Sequence, residues 1–313
     1  MARTVKPSRL NKGDTIAIIA PAGKPDPADL RKAVSRIKRI GYDVFVHPQC
    51  GLRRGYLAGD DKTRADALNE MFAGKKIKAI FAARGGYGCQ RLMKYLDLNV
   101  IKANPKIFVG YSDLTILLHA FNNLGLVTFH GPMPAIDFSG NPYKFGLTNM
   151  LQTLTDTKSP IPIKNPRSAG AFKVYRKGRA EGILTGGNLS LLQKLIGTPF
   201  MPSFKNKIVF LEDIGEEPYR LDGYLAHLFM ATDIARAAGF VFAPFYDCKI
   251  TKRTFPSLTV RQVFDDYFGS LKVPILTNVA CGHGNENVTL PIGVKAAIDT
   301  EKKQFTLLES AVK

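Results

Sequence analysis

Three residues of this chain stand in separate motifs, and together they suit acyl transfer. Ser112 lies in Phe-Val-Gly-Tyr-Ser-Asp-Leu-Thr (108–115). Glu212 lies in Phe-Leu-Glu-Asp-Ile-Gly-Glu-Glu-Pro-Tyr-Arg-Leu-Asp (210–222), and His283 in Ala-Cys-Gly-His-Gly-Asn (280–285). A serine hydroxyl becomes a competent nucleophile when an imidazole takes its proton and a carboxylate holds that imidazole in the right tautomer. Such triads are defined by where the side chains meet in space, so wide separation along the chain is no obstacle.

Each motif also has a plainer reading. Ser112 follows an apolar strand at 107–109 and opens a helix at 112–124, the strand-turn-helix setting of a nucleophile elbow. Only the first glycine of the usual G-x-S-x-G is present, as Gly110, because Leu114 takes the place of the second. A serine followed by aspartate is also a common helix N-cap. Arg84-Gly-Gly-Tyr-Gly follows a strand at 77–83. There Gly85 or Gly86 could bring a backbone N–H to an oxyanion, since glycine allows close approach. A phosphate-binding turn or a simple turn are the alternatives, although neither G-x-G-x-x-G nor the Walker pattern fits. Glu212 ends a strand and is grouped with Asp213, Glu216 and Glu217 ahead of a helix at 219–232. One of these acids is expected to hold the imidazole, unless all four only complement the helix dipole. His283 sits between two glycines, which favours a loop. His47 and His130 end strands, and His119 and His227 lie inside helices, so His283 is the best base by context.

Composition narrows the classes. The chain has 313 residues, 45% of them hydrophobic, enough for one large domain or two ordinary ones. It contains no apolar run long enough to span a membrane, and its first residues lack the apolar stretch of a signal peptide. The expected location is therefore cytoplasmic. Cys50, Cys89, Cys248 and Cys281 form no CxxC pair and have no zinc-finger spacing to histidine, so structural thiols are expected and no metal. The formal net charge of +18 is spread along the chain, without a basic tail or an RNA- or DNA-binding signature. It argues for a solvated basic surface, or one that attracts a polyanionic substrate or a negative cell surface, and against nucleic acid as the main partner.

The elements that must position these motifs alternate in the first half. Strands at 15–20, 42–47, 77–83, 107–109 and 127–129 are interleaved with helices at 29–40, 62–72 and 112–124. This pattern predicts an α/β domain with a parallel sheet over residues 1–155. Residues 156–179 are rich in Pro, Lys, Gly and Ser and read as a linker. Residues 180–313 read as a mixed α+β domain, with a strand at 207–211 delivering Glu212. A closing antiparallel pair is expected at 288–291 and 294–299, around Ile292-Gly293.

Together, Ala-Arg-Gly-Gly-Tyr-Gly, Gly-Tyr-Ser-Asp-Leu-Thr, Gly-Gly-Asn-Leu-Ser, Leu-Glu-Asp-Ile-Gly-Glu-Glu-Pro-Tyr-Arg-Leu-Asp and Gly-His-Gly resemble the LD-carboxypeptidase family of serine peptidases. That group also includes the microcin C immunity peptidases, and the resemblance covers residues 13–293. It implies an N-terminal α/β domain, a C-terminal domain with a β-rich core, and a homodimer. It places the nucleophile at Ser112, the acid at Glu212 and the base at His283. It places the oxyanion donors at the backbone N–H groups of Gly85 and Asp113, with Arg84 and Gly86 lining the substrate site.

The reaction it implies is hydrolysis of the amide between an L-centre, diaminopimelate or lysine, and the terminal D-Ala of a murein tetrapeptide, in peptidoglycan recycling and without a cofactor. The alternatives are cleavage of a peptidyl or aminoacyl nucleotide, or non-catalytic capture of muropeptides. The chain departs from the family pattern at Gly223-Tyr224, where relatives often carry Arg-Met. A glycine there is unfavourable in the helix.

Overall fold

The computed structural model describes residues 4–141, 143–251 and 256–313. The first half builds β1 (Thr15–Ile19), β2 (Asp43–Val46), β3 (Ile77–Ala82), β4 (Ile107–Gly110) and β5 (Thr128–His130), all mutually parallel. β1, β3, β4 and β5 are almost wholly buried, as expected of parallel strands covered on both faces. The helix Pro27–Arg39 starts on an Asp26 cap that accepts from the N–H groups of Ala28 and Asp29. It turns Leu30, Ala33 and Ile37 inward at helical spacing. The helix Asp61–Ala73 starts on Asp60 in the same way.

The second half builds a larger sheet. β6 (Ile161–Ile163) and β7 (Lys173–Arg176) come first, then β8 (Arg179–Asn188), β9 (Lys207–Glu212), β10 (Gly239–Phe242) and β11 (Ile275–Thr277). β12 (Leu290–Ile292), β13 (Lys295–Asp299) and β14 (Gln304–Leu307) complete the set. The spatial order is β6-β14-β13-β8-β9-β10-β11-β7, with β8 to β11 forming a parallel centre between antiparallel flanks. The fold is thus α/β, a parallel sheet plus a mixed sheet with its own core.

Two sequence expectations change. Residues 156–179, expected as a linker, supply β6 and β7, the two edge strands of the second sheet. Proline is tolerated on an edge, where Pro162 has no ladder hydrogen bond to lose, so composition alone could not separate linker from strand. The second is the closing pair at 288–299, which does not form. β12 instead crosses to the first sheet and pairs antiparallel with β5, while β13 lies between β8 and β14. The turn at Gly293, with φ of 97°, separates two strands that serve different sheets. The two halves are therefore stitched together, and Asn188 N also donates to Thr115 Oγ1 at 3.3 Å.

Both parallel centres present their carboxyl ends to the same region. Gly23, the 84–88 loop and Ser112 follow β1, β3 and β4. Asn188 ends β8, Glu212 ends β9, and the 279–284 loop follows β11. Carboxyl ends of parallel strands are where open α/β sheets bind ligands.

Candidate active site

Ser112 leaves β4 through a single-residue turn with φ of 62°, a left-handed conformation rare for a residue with a Cβ. A short 3-10 turn, Ser112–Leu114, then feeds the helix Thr115–Asn123. This excludes the N-cap reading. A cap residue sits in the β region and its side chain accepts from the first turn, whereas Ser112 is left-handed and Tyr111, in the cap position, makes no side-chain cap bond. Strain of this kind persists where the surrounding structure enforces it, as at a nucleophile elbow. Gly110 and Leu114 show why the elbow has one glycine. A Cβ on Gly110 would stand 2.7 Å from Leu114 Cγ, so glycine is needed there because leucine fills the other position.

The loop after β3 lies against this serine. A Cβ on Gly85 would stand 3.1 Å from Ser112 Cβ and 3.3 Å from its Oγ, so the backbone of Gly85 closely approaches the hydroxyl. The Gly85 carbonyl accepts from Gly23 N at 3.2 Å and from Arg84 Nε at 3.3 Å. Its N–H has no acceptor among the described residues. Gly86, with φ of 120°, is exposed, and Arg84 is partly exposed beside it.

Two buried side chains hold the far end of the loop. Asp113 Oδ2 accepts from Cys89 N at 2.8 Å, tying the loop to the serine turn. Arg64, fully buried, donates to the carbonyls of Pro21 and Gly88 and pairs with Asp61. Asp113 was visible in the serine motif, and Cys89 was read only as a structural thiol. Arg64 was not visible, because an arginine inside a helical repeat reads as a surface residue until its burial is seen.

His283 and Glu212 meet in the second half. His283 Nδ1 donates to Glu212 Oε2 across 2.7 Å, with side-chain exposures of 15% and 1%. Burial pulls the imidazolium pKa down, but the hydrogen bond and charge of Glu212, with Asp213 and Asp137 farther off, outweigh it and the net shift is upward. On Glu212 burial acts the other way, raising the pKa, and the paired histidine overcomes it, so the carboxylate stays ionised.

The loop carrying the histidine is built for this contact. Gly282 has φ of 82°, and its N–H donates to the buried Asn287 Oδ1 at 2.9 Å. Asn287 gave no signal in the sequence. Asp213, the other acid at the end of β9, is a scaffold. It accepts from Asn188 Nδ2, Ser190 N and Ile214 N at 2.8–2.9 Å, and burial and then the Glu212 charge push its carboxyl up to about 6.

The halves of the site join through Tyr111. Its ring stands edge-on to the His283 imidazole, with centroids 5.0 Å apart, and the next residue is Ser112. The Tyr111–Ser112 turn after β4, Glu212 at the end of β9 and the His283 loop after β11 therefore lie together. The remaining histidines have other roles. His119 contacts the Gly186 carbonyl at 2.8 Å, His227 contacts Gln193, His47 caps a turn, and His130 is buried and held neutral with its pKa near 4. Cys281 is buried, and burial pushes its thiol well above the ordinary range, so it offers no thiolate. Among the described residues no group of three or more His, Cys, Asp or Glu is placed to hold a metal. No helix among them is long and apolar enough to cross a membrane.

A histidine paired with a buried carboxylate, near a strained serine turn that a glycine backbone approaches, is the kind of equipment amide-cleaving enzymes use. Comparison with known proteins agrees. The model of the LD-carboxypeptidase N-terminal domain matches residues 16–131, and that of the LD-carboxypeptidase C-terminal domain matches residues 181–298. The chain belongs to the LD-carboxypeptidase family and is a peptidase of that family. It is 40% identical to a probable murein peptide carboxypeptidase of Bacillus subtilis, over 95% of this chain and 92% of the relative. It is 29% identical to the murein tetrapeptide carboxypeptidase of Pseudomonas aeruginosa, over 93% and 94%, and 29% identical to the microcin C7 self-immunity protein MccF of Escherichia coli, over 95% and 94%. Among solved structures, the muramoyltetrapeptide carboxypeptidase of Oxalobacter formigenes superposes with a TM-score of 0.81 at 30% identity, covering 94% of this chain and 97% of that one.

Proposed function

We propose that this protein is a serine carboxypeptidase that removes the terminal D-Ala from murein tetrapeptides by cleaving its amide to an L-centre, diaminopimelate or lysine. His283 takes the proton of Ser112 as Oγ attacks the L-centre's carbonyl. Glu212 holds Nδ1–H and stabilises the imidazolium that forms. The N–H groups of Gly85 and Asp113 receive the oxyanion, and Arg84, with the exposed backbone of Gly86, faces the substrate's terminal carboxylate. His283 then protonates the departing D-Ala amine, and water, deprotonated by the same base, releases the acyl group.

The observation that carries this reading is the 2.7 Å His283–Glu212 contact, with His283 packed on the ring of Tyr111, the residue before a serine held at φ of 62°. In it, residues 1–155 carry the nucleophile, residues 180–313 carry the acid and base, and the protein acts as a cytoplasmic homodimer in peptidoglycan recycling. The test is mass spectrometry of a murein tetrapeptide incubated with the protein. Loss of one alanine is expected, and an unchanged tetrapeptide rejects the reading.

A second reading has one observation in its favour, the similarity to the microcin C7 self-immunity protein. It would make the substrate a peptidyl or aminoacyl nucleotide. The chain has no tryptophan to stack on a base, which leaves the tetrapeptide the better candidate. Cleavage of an aminoacyl nucleotide in preference to the tetrapeptide would reverse that order.

A further inference from the structure

Arg64, in the helix Asp61–Ala73, is a fully buried cation that the proposed hydrolysis does not use. Its Nη1 donates to two carbonyls, those of Pro21 and Gly88, the latter at 3.2 Å. Pro21 lies two residues before Gly23, whose N–H donates to the Gly85 carbonyl at 3.2 Å. Gly88 lies three residues after Gly85 and one before Cys89, whose N–H donates to Asp113 Oδ2 at 2.8 Å. One guanidinium thus anchors two short paths of backbone and hydrogen bonds. The first leads to Gly85 and the second to Asp113, the two residues whose N–H groups are proposed to receive the oxyanion.

The guanidinium is itself fixed. Its Nη2 pairs with Asp61, one turn back on the same helix. Arg91 grips the same carboxylate, with Nε at 2.8 Å and Nη2 at 2.9 Å. Arg91 belongs to the short helix Cys89–Leu92, which leads out of the loop. The contacts therefore close a ring that runs from Arg64 through Gly88, Arg91 and Asp61 back to Arg64. Gly88 makes room for it, since a Cβ there would stand 2.7 Å from Arg64 Nη1 and 2.7 Å from Leu57 Cδ2. A buried ion pair is a weak source of net stability, because desolvation offsets much of its attraction. What the guanidinium supplies here is position, because its planar fork holds several acceptors at fixed angles.

We propose that Arg64 is a positioning residue for the reaction, holding the N–H groups of Gly85 and Asp113 where the oxyanion forms. This rests on the peptidase reading and adds to it the buried support on which the electrostatic step depends. Oxyanion donors act on charge that appears only in the transition state, so misplacing them slows turnover more than it weakens substrate binding. A purely structural Arg64 would behave differently. Its loss would lower thermal stability and leave the kcat of the folded enzyme unchanged.

The experiment measures kcat, KM and thermal melts for release of D-Ala from L-Ala-γ-D-Glu-L-Lys-D-Ala by wild type, Arg64→Gln, Arg64→Lys and Gly88→Ala. Arg64→Gln keeps a donor and loses the fork, and its kcat should fall by about thirtyfold to a hundredfold, the scale of a group displaced by about 1 Å. Arg64→Lys, which retains the charge, should recover part of that loss. Gly88→Ala leaves the arginine in the chain and pushes on it, so its kcat should fall as well. In all three, KM should change by about threefold or less. A folded Arg64→Gln enzyme with wild-type kcat, or a loss confined to KM, overturns the inference and leaves the peptidase reading standing. Failure of all three variants to fold makes the residue structural only and overturns it too. No release of D-Ala by wild type rejects the peptidase reading, and the inference with it.

Discussion

Gly282→Ala is a sharp test of the geometry, because it leaves Ser112, His283 and Glu212 chemically intact. The new Cβ would stand 2.3 Å from Glu212 Oε2, 2.5 Å from its Cδ and 2.7 Å from its Cγ. Non-bonded contacts settle near 3.5 Å, so the carboxylate or the loop must move by about 1 Å. The His283 Nδ1–Glu212 Oε2 bond, 2.7 Å long, would then open to a separation that is no longer a hydrogen bond. A misplacement of about 1 Å costs on the order of a hundredfold in rate.

The substitution also carries a backbone penalty, because Gly282 has φ of 82° and a left-handed alanine costs about 1–2 kcal/mol. Gly13→Ala isolates that penalty. Its φ is 83°, and a Cβ there meets nothing within 4 Å. The assay is kcat for D-Ala release by both variants, with thermal melts alongside. Gly282→Ala should lose about two orders of magnitude in kcat, while Gly13→Ala loses stability and keeps its rate. A folded Gly282→Ala enzyme with wild-type kcat would refute the claim that this contact orients the base.

Other consequences follow from the same contacts. The proposed mechanism needs neutral His283, whose pKa is pulled down by burial and raised more strongly by Glu212. The acid limb of kcat/KM should therefore have its midpoint above the ordinary histidine value of about 6.5. In Glu212→Gln the midpoint should move to lower pH, and kcat should fall by about 10²–10⁴; an unmoved midpoint contradicts the pairing. The helix Pro218–Ala231 runs unbroken through Gly223, which is exposed with open space around it. Gly223→Ala should thus stabilise the protein by about 0.5–1 kcal/mol in a denaturant titration. Arg64→Met would leave the Pro21 and Gly88 carbonyls and part of Asp61 unpaired. It should cost about 3 kcal/mol or more of stability by the same titration.

The parts of this molecule legible in its sequence were those whose local chemistry is self-contained. β1, β3 and β4 are short apolar runs closed by glycine or proline, and the helices beside β1 start on aspartate caps. The residues of the proposed site lie in motifs whose glycines have local reasons, at 85 to approach Ser112 and at 282 to clear Glu212. What stayed hidden depends on distant partners. β8 contains Gly182, Gly186 and Gly187 and looks like a loop. Yet a Cβ on Gly186 would stand 1.9 Å from the Phe210 carbonyl, so it is a strand pressed against β9. β12 reads as half of a hairpin, and only the finished fold shows it pairing with β5. Arg64 and Asn287 act through backbone atoms that no spacing rule reveals.

The central claim is that Ser112 is the nucleophile of a D-Ala-releasing peptidase. The most direct measurement is kcat for that release by wild type and Ser112→Ala, with a thermal melt to confirm that the variant folds. The account predicts turnover by wild type and a loss of at least about 10³ in the variant. Comparable turnover by a folded Ser112→Ala protein would contradict it.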